Sequence, residues 1–322
     1  MSENRRGRLK SNMAVMLPMM LMIEVGKRLG FGKQIAQFAI RKMRSNMLET
    51  DHFADYSAME HDVFVATFGK SGTNWMMQIA QQITHRGESE FDHIHGVVAW
   101  PDAPGPGPIA LDDLSILDES PTGLRVIKTH LATEYVPYNE KSTYLTVLRD
   151  PKEVLVSSYH FLGGAIGVLS HVTIDDWFEI ATAPGGLMEG WARHTASFWD
   201  WRDRPNALVL SFGEVKREPR KSISRIAEIM GVELTEPQLE KVIERASFKY
   251  MQAHESQFAP PQSPFGDKSK PVLMIRRGAT GKSEEALSSA QQAEVDRLCQ
   301  VELEKLGSDF PYAREFDVVE TP

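Results

Sequence analysis

Residues 63–83, which read VFVATFGKSGTNWMMQIAQQI, decide the fold. Residues 63–68 are rich in β-branched and aromatic side chains and predict a short buried strand. GKSGTN follows as a loop, and residues 75–83 have the apolar spacing of a helix. A strand, a glycine-containing loop and a helix in this order form the unit that binds phosphate groups in α/β proteins.

Strands and helices alternate along the remaining chain. Further strands are predicted at 124–128, 143–148 and 207–212, and helices at 151–161, 187–201, 220–230 and from Thr235 onward. This alternation predicts a single α/β domain with a mainly parallel central sheet flanked by helices. Residues 91–122, dense in Pro and Gly, predict a long loop with one or two short helices.

Composition narrows the class of protein. A chain of 322 residues, of which 42% are hydrophobic, is suited to one large domain. The single cysteine, Cys299, excludes an internal disulfide and predicts a reducing, cytoplasmic setting. The net charge is -8, yet the first fifty residues hold ten Lys and Arg against three acids. An acidic body with a basic start argues against nucleic-acid binding and leaves open a local contact with an anionic surface.

The start of the chain allows several interpretations. We predict a basic and apolar helical extension over residues 1–50 and the main domain over residues 51–322. Residues 13–23, MAVMLPMMLMI, are too few to span a bilayer. They predict an amphipathic helix that packs on the domain, a helix in peripheral contact with a membrane, or a secretion signal, although no cleavage site follows.

The loop after the first strand departs from the usual nucleotide phosphate loop. That loop has the pattern GxxxxGK[ST]. Gly69, Lys70 and Ser71 supply its end, but Phe64 occupies the position of its first glycine. Backbone N–H groups from Ser71 to Asn74 would still point at an anion at the helix start. A short anion-binding loop and an ordinary strand–helix turn both remain open on this segment alone.

Polar side chains also follow the next two predicted strands. Lys128 and His130 lie two residues apart at a strand end, so an extended chain directs them to the same side. His130 is a candidate base or a structural histidine. Arg149 offers a fork suited to a phosphate, and the hydroxyl of Ser157 comes a little over two helical turns later. Alternatively, Arg149 forms a local ion pair with Asp150.

A fourth segment, residues 274–282, reads MIRRGATGK and predicts a basic turn over a phosphate or a solvated loop. In this order the segments resemble those of sulfotransferases that use 3′-phosphoadenosine 5′-phosphosulfate (PAPS). FGKSGTNW resembles the family's Y-P-K-S-G-T-T-W, and KTHL resembles K-T-H-L-P. LRDPKEVLVSSYHF resembles R-N-P-K-D-V-x-V-S-x-Y-x-F, and RRGATGK resembles R-K-G-x-x-G-D-W. The likeness extends from about residue 62 to residue 282.

The resemblance implies sulfuryl transfer to an acceptor hydroxyl, with the desulfated nucleotide (PAP) as product. Residues 97–108, 161–169 and 177–201 could line an apolar pocket, which favours a small hydrophobic alcohol, phenol or lipid as acceptor, and the reaction requires no metal. The residues that it assigns to the 5′-phosphosulfate are Lys70, Ser71, Gly72, Thr73 and Asn74. Those near the adenine are Trp75, Phe212, Phe248 and Met251. Those at the 3′-phosphate are Arg149 and Ser157, with Arg276, Arg277 and Gly278 on its other side. His130 would be the general base, Lys128 would lie beside the sulfuryl group, and Lys70 would stabilise the leaving group.

This sequence departs from the family pattern at several positions. Gly69 replaces a proline and Asn74 a threonine, and Phe212 stands where a tyrosine usually contacts the adenine. Ala132 replaces the proline after K-T-H-L, and the D-W after Gly281 is missing. The dimerisation stretch of the cytosolic animal enzymes is not evident, so an oligomeric state is not predicted.

Other interpretations of the motifs are less favoured. An ATP-dependent phosphotransferase needs Mg²⁺ ligands and usually a full Walker loop, and neither is evident. An inert nucleotide-binding or membrane-associated scaffold does not explain the retained lysines, histidine and arginine. His93 and His95 form an H-x-H pattern without a matched third ligand for a metal. The aromatic residues at 177–201 predict either an acceptor pocket or plain core, and we favour core for Trp191 and Phe198.

Overall fold

The structure is a computed structural model that describes residues 25–26, 29–103, 109–164, 172–259, 274–275 and 286–319. It contains a parallel sheet of four strands. The strands are β1 (Asp62–Ala66), β2 (Arg125–Thr129), β3 (Thr143–Leu148) and β4 (Ala207–Ser211). Their order in the sheet is β2–β1–β3–β4, and every neighbouring pair is parallel. The predicted parallel sheet is therefore confirmed.

The register of the strands places their apolar side chains together. Phe64 of β1 lies opposite Ile127 of β2 and Tyr144 of β3. The rings of Phe64 and Tyr144 stack with their centroids 5.0 Å apart. All residues of β1, β2 and β3 are buried, as expected for a parallel sheet that is covered on both faces.

Helices connect and follow the strands. In chain order they are α1 (Gly32–Glu49), α2 (Thr73–Thr84), α3 (Ser115–Asp118), α4 (Pro151–Gly164), α5 (Ile174–Thr182), α6 (Leu187–Trp199), α7 (Phe212–Arg217), α8 (Pro219–Ile229), α9 (Glu236–Arg245), α10 (Phe248–Ala253), α11 (Ser289–Lys305) and α12 (Tyr312–Glu315). None of the helices within the described ranges combines the length and the apolar character that crossing a bilayer requires. The apolar run at residues 13–23 lies outside those ranges.

The chain divides into two compact units. The first contains residues 51–149 and 197–258, and so holds the sheet, α2, α3 and α7 to α10. In it α2 packs on β1 and β2, and against α8 and α9. Thr235 and Gln238 form the predicted capping box at the start of α9.

The second unit contains residues 150–196 together with the described residues up to 50 and beyond 258. Here Lys33 of α1 forms ion pairs with Asp176 at 3.0 Å and with Glu179 at 2.6 Å. Trp191 is buried among Phe310, Tyr312 and Phe316, so its predicted place in the core is confirmed. Phe198, which belongs to the first unit, is buried as well.

Two strands end earlier than predicted: β1 ends at Ala66 and not at residue 68, and β4 ends at Ser211 and not at residue 212. The sequence predicts a strand over residues 207–212, but Phe212 is the first residue of α7. The hydroxyl of Ser211 accepts a hydrogen bond from the backbone N–H of Glu214, 3.0 Å away, and caps the helix. This correction places the Phe212 ring at the carboxyl end of the sheet.

Candidate functional site

The strand order of the sheet reverses at β1. The next strand along the chain, β2, pairs on one side of β1, and the strand after that, β3, pairs on its other side. In open parallel sheets, ligands bind outside the carboxyl ends of the strands at such a switch point. The loop that contains Lys70 follows β1, and Arg149 follows the last residue of β3 directly. The Arg149 Nη1 donates a hydrogen bond of 2.9 Å to the Lys70 carbonyl oxygen. Two of the predicted site residues are therefore in contact.

The loop between β1 and α2 has an unusual backbone. Lys70 has φ of 69° and Gly72 has φ of 104°, both in the left-handed region. A side chain at such a φ is uncommon and stores strain, which occurs mostly where a ligand or a tight turn requires it. Gly72 is the N-cap of α2, and among the described residues no side chain caps the first turn. The N–H groups of that turn are therefore suited to binding an anion.

The polar side chains of this loop differ in their hydrogen bonds. The hydroxyls of Thr73 and Thr67 share a hydrogen bond of 2.6 Å. Asn74 Nδ2 lies 3.5 Å from the Phe258 carbonyl oxygen, the limit of a hydrogen bond. Ser71 is 1% exposed, and its buried Oγ has no hydrogen-bond partner in the part of the chain that the structure describes. A buried hydroxyl without a hydrogen bond lowers the stability of the fold by about 1–3 kcal/mol, a cost that a hydrogen bond to a bound ligand would remove.

Phe212 packs against three of the predicted cofactor residues. The guanidinium carbon of Arg149 lies 4.6 Å from the Phe212 ring centroid, and the Trp75 ring meets it edge-on at 5.4 Å. A Cβ on Gly72 would lie 3.0 Å from Phe212 Cδ2. Trp75 Nε1 donates to the Ala246 carbonyl oxygen at 2.8 Å. Gly72, Trp75, Arg149 and Phe212 thus form one cluster at the start of α2.

The predicted adenine contacts on α10 differ in accessibility. Phe248 is 40% exposed, whereas Met251 is 2% exposed. The hydroxyl of Ser247 caps the helix by accepting a hydrogen bond from the Tyr250 N–H. Phe248 can therefore contact a ligand in this conformation, whereas the Met251 side chain is buried.

Lys128 and His130 meet on one aromatic ring. The Lys128 Nζ lies 3.3 Å from the centroid of the Trp100 ring, and the His130 ring meets Trp100 edge-on at 5.9 Å. The predicted placement of both side chains on the same side is therefore confirmed. Trp100 is held there because Lys128 N donates to the Ala99 carbonyl oxygen at 2.8 Å, so the segment before Trp100 runs beside β2.

Two hydrogen bonds orient His130. Its backbone N–H donates to Asp102 Oδ2 at 2.8 Å, and its Nδ1 lies 2.8 Å from the Thr67 carbonyl oxygen. Because a carbonyl oxygen only accepts, Nδ1 must carry the hydrogen. In the neutral ring Nε2 then carries the lone pair, which is the form that a general base needs.

The charge state of Lys128 responds to its surroundings. Burial lowers the pKa of Lys128 to about 7; the Asp102 carboxylate acts to raise it and the Lys70 ammonium to lower it. Burial raises the pKa of Asp102, against the His130 N–H and the Lys128 charge, which lower it. Lys70 and Lys128 therefore repel each other, and an anion bound near both would relieve the repulsion.

Sequence reasoning missed Trp100 and Asp102. Both lie in the predicted Pro/Gly-rich loop, and no motif marks either residue. His95, which the sequence suggested for a weak metal pattern, stacks on Trp100 with centroids 4.9 Å apart. Within the described ranges no group of three His, Cys, Asp or Glu side chains is arranged to hold a metal ion.

Four further predicted site residues stay predictions. Ser157 belongs to the second unit and is half-buried on α4. Its neighbour Ser158 donates to the Leu155 carbonyl oxygen at 2.7 Å and accepts from Trp177 Nε1 at 3.1 Å, so Ser158 has a structural role. Arg276, Arg277 and Gly278 lie outside the described residues, and their contacts stay predictions.

The chain is similar to known sulfotransferases. The family model described as Sulfotransferase domain matches residues 60–308. Human Sulfotransferase 1C2 is 25% identical over 300 residues, which cover 87% of this chain and 96% of that protein. Its similarity therefore spans both units.

Two solved structures share the fold. Retinol dehydratase in complex with androsterone and the inactive cofactor PAP has a TM-score of 0.64 at 18% identity, covering 83% of this chain and 88% of the other. Mouse sulfotransferase SULT7A1 complexed with PAP has a TM-score of 0.58 at 20% identity, covering 80% and 92% respectively.

Proposed function

This chain belongs to the sulfotransferase family, and from that premise we propose that it moves the sulfuryl group of PAPS to a hydroxyl of a small hydrophobic acceptor, such as an alcohol, a phenol or a lipid. The observation that carries the proposal is the geometry at the carboxyl ends of β1, β2 and β3. These strand ends carry the start of α2, which has no side-chain cap among the described residues, together with Lys70, Lys128, Arg149 and His130. The neutral His130 ring has its lone pair on Nε2.

The residues present suit a phosphosulfate. The first turn of α2 offers N–H groups, Lys70 and Lys128 offer positive charge, and the buried Ser71 hydroxyl lacks a partner within the described residues. We assign the 5′-phosphosulfate to the segment from Lys70 to Asn74. Bound there, PAPS supplies an activated sulfuryl group and PAP as its leaving group. The N–H groups and cations of the chain neutralise its charge.

The nucleoside end is assigned to the cluster around Phe212. Trp75, Phe212 and the exposed Phe248 offer apolar ring surface for the adenine. The Arg149 fork, held beside the loop by its bond to Lys70, is assigned to the 3′-phosphate. The roles of Ser157, Met251, Arg276, Arg277 and Gly278 rest on the sequence resemblance.

His130 is assigned as the general base. Its Nε2 would accept the proton of the acceptor hydroxyl, and the Thr67 carbonyl oxygen would stabilise the imidazolium that forms. Lys70 would stabilise charge on the leaving group, and Lys128 would stabilise the sulfuryl oxygens. In this scheme a side chain of the protein accepts the transferred proton, and side chains or backbone groups stabilise each charge that develops.

The nature of the acceptor follows from the surroundings of His130. Trp100, whose ring touches both His130 and Lys128, presents an apolar face beside the base. A structural neighbour binds androsterone, which is a hydrophobic alcohol. The net charge of -8 disfavours polyanionic acceptors such as sulfated polysaccharides and nucleic acids.

The cellular setting is a further part of the proposal. Cys299 lies buried in α11, where burial raises the pKa of its thiol well above the usual range. An unpaired thiol of this kind suits a reducing, cytoplasmic compartment. A peripheral membrane contact through residues 1–50 stays a prediction.

A labelled-PAPS assay tests the function. The protein is incubated with PAPS carrying ³⁵S and a panel of alcohols, phenols, sterols and polar lipids, with and without EDTA, and products are identified by mass spectrometry. We expect label on at least one hydrophobic acceptor, with a rate that EDTA does not change. Transfer of phosphate from ATP with Mg²⁺ would favour a phosphotransferase. PAP binding without transfer to any acceptor would favour an inert scaffold.

A further inference from the structure

Asp102 is a buried carboxylate in the loop before β2. It is 7% exposed, and acidic side chains are rarely buried unless a partner satisfies them. Its partner is the backbone of the proposed general base, since Asp102 Oδ2 accepts the His130 N–H at 2.8 Å. A contact between residues 28 positions apart fixes where the chain leaves β2.

The backbone brings Asp102 to this place. Ala99 forms a parallel bridge with Ile127, and its carbonyl oxygen accepts the Lys128 N–H at 2.8 Å. The segment that carries Trp100 and Asp102 therefore follows β2 in the same direction. As a result Trp100 covers Lys128, and Asp102 comes alongside His130.

Several charged or titratable groups face Lys128. Asp102 and His95 come from the loop before β2, and Lys70 comes from the loop after β1. His130 contacts the same Trp100 ring as Lys128, and His93 acts on His95. Burial and the Lys70 charge both favour the neutral amine, whereas the Asp102 charge favours the ammonium. The Trp100 face at 3.3 Å also attracts a cation.

We infer that Asp102 is a positioning residue of the sulfuryl transfer: its carboxylate holds the backbone of His130, and its negative charge favours the ammonium form of Lys128, which lies against the Trp100 ring. The inference rests on the proposed function, because it gives His130 and Lys128 their parts in the reaction. The two effects of Asp102 are separable: hydrogen bonding to His130 needs an oxygen atom, whereas the effect on Lys128 needs a negative charge.

The direction of the expected effect follows from the causes acting on Lys128. The pKa of Lys128 is about 7 with Asp102 charged. Asp102→Asn keeps an oxygen for the His130 N–H but removes the charge, so the pKa of Lys128 falls further. Lys128 then loses its proton below neutral pH, and any step that needs the ammonium weakens at a lower pH than in the wild type.

Two measurements test the role. The first is kcat/KM for PAPS against pH, which reports groups of the free enzyme. We expect its alkaline limb to move to lower pH by about one unit or more in Asp102→Asn. The second is the titration of Lys128 itself by NMR of ¹³C-lysine-labelled protein without ligand. The Lys128 signal is assigned by its loss in Lys128→Arg, and we expect the same shift.

Two variants serve as controls. Asp112→Asn removes an exposed acid from the same loop and should leave the pH profile and the Lys128 titration unchanged. Asp102→Glu keeps the charge, and we expect it to keep the wild-type alkaline limb. A limb that moves as far in Asp102→Glu as in Asp102→Asn overturns the electrostatic role.

Failure of the inference and failure of the proposed function are distinguishable. If Lys128 titrates alike in the wild type and in folded Asp102→Asn, the inference is overturned whatever the acceptor panel gives. If the wild-type protein transfers nothing from PAPS, the proposed function is overturned, and the role of Asp102 in the reaction is overturned with it. If His130→Ala stays fully active, the assignment of His130 as the base is overturned, and with it the role of Asp102 in holding that base. A shift in both measurements, with an inactive His130→Ala, supports both.

Discussion

Gly72 and Gly69, both in the loop between β1 and α2, differ in whether a side chain could replace the glycine hydrogen. Gly72 has φ of 104°, and a Cβ there would lie 3.0 Å from the Phe212 ring. A Cβ on Gly69 would have no atom of the described residues within 4 Å, and the φ of Gly69 lies outside the left-handed region. The family's proline at the position of Gly69 is thus consistent with the space there, whereas glycine at 72 is required.

We predict that Gly72→Ala lowers the free energy of unfolding by about 1–3 kcal/mol and weakens PAP binding at least about tenfold. The reason is the forced φ together with displacement of Phe212, which packs on Trp75 and Arg149. Urea denaturation and calorimetric titration with PAP measure the two effects. Gly69→Ala is the matched control and should change neither; equal effects of the two substitutions would contradict the role of Gly72.

The sequence identified some site residues and missed others for a physical reason. Lys70, His130 and Arg149 follow strands, and the end of a parallel strand is visible in an apolar run. Asp102 acts through a backbone N–H of a residue 28 positions away. Backbone groups are the same in every residue, so such a contact leaves no pattern in the sequence.

Among the elements, the described C-terminal residues are held by one carboxylate on α11. Asp296 Oδ1 accepts hydrogen bonds of 2.6 Å from both Lys152 Nζ and the Tyr312 hydroxyl. Its Oδ2 accepts the Val319 N–H at 2.9 Å. A single side chain therefore joins α4, α11, α12 and the residues after α12.

We predict that Asp296→Asn lowers the free energy of unfolding by about 3 kcal/mol, because Lys152 then keeps a buried charge without its closest counterion. Urea denaturation measures the change. Glu294→Gln removes the exposed ion pair with Arg297 on the same helix and should have little effect. Similar losses in both variants would show that the buried cluster contributes no more than a surface pair.

Element boundaries were predictable where side chains mark them. Thr235 and Gln238 mark the start of α9, and the capping box is present. The end of β4 was not predictable, because the run ALVLSF continues without a polar break and only the contact of Ser211 with the Glu214 N–H ends the strand. Phe212 has a high propensity for strands, but the Ser211 cap makes it the first residue of the next helix.

For the molecule as a whole, a buried histidine makes stability depend on pH. Burial lowers the pKa of His194 on α6 from 6.5 to about 3. Between these values the unfolded chain binds a proton that the folded chain does not. The stabilisation is complete above pH 6.5 and is lost as the pH falls toward 3.

We therefore predict that the free energy of unfolding falls by about 1.4 kcal/mol per pH unit through His194 alone as the pH drops within this range. His194→Gln has no such titration and should show a shallower dependence. Urea denaturation of both proteins at several pH values measures the two slopes. Parallel slopes would contradict the assignment to His194.

At this scale the sequence predicted the class of the fold but not the order of its strands. Alternating strands and helices indicate a parallel sheet, yet many strand orders satisfy the same alternation. The order β2–β1–β3–β4 depends on packing between distant segments, such as the stacking of Phe64 on Tyr144. The switch point, and with it the contact between Arg149 and Lys70, follows from that order.

The central claim is that His130 removes the proton of the acceptor during sulfuryl transfer from PAPS. The most direct measurement is turnover of His130→Ala with labelled PAPS and the best acceptor, beside the affinity for PAP and with His52→Ala as a matched histidine control. We predict a loss of turnover of about 10²–10⁴-fold with PAP affinity nearly unchanged, and near-normal turnover in His52→Ala. Turnover of His130→Ala close to that of the wild type would contradict the claim.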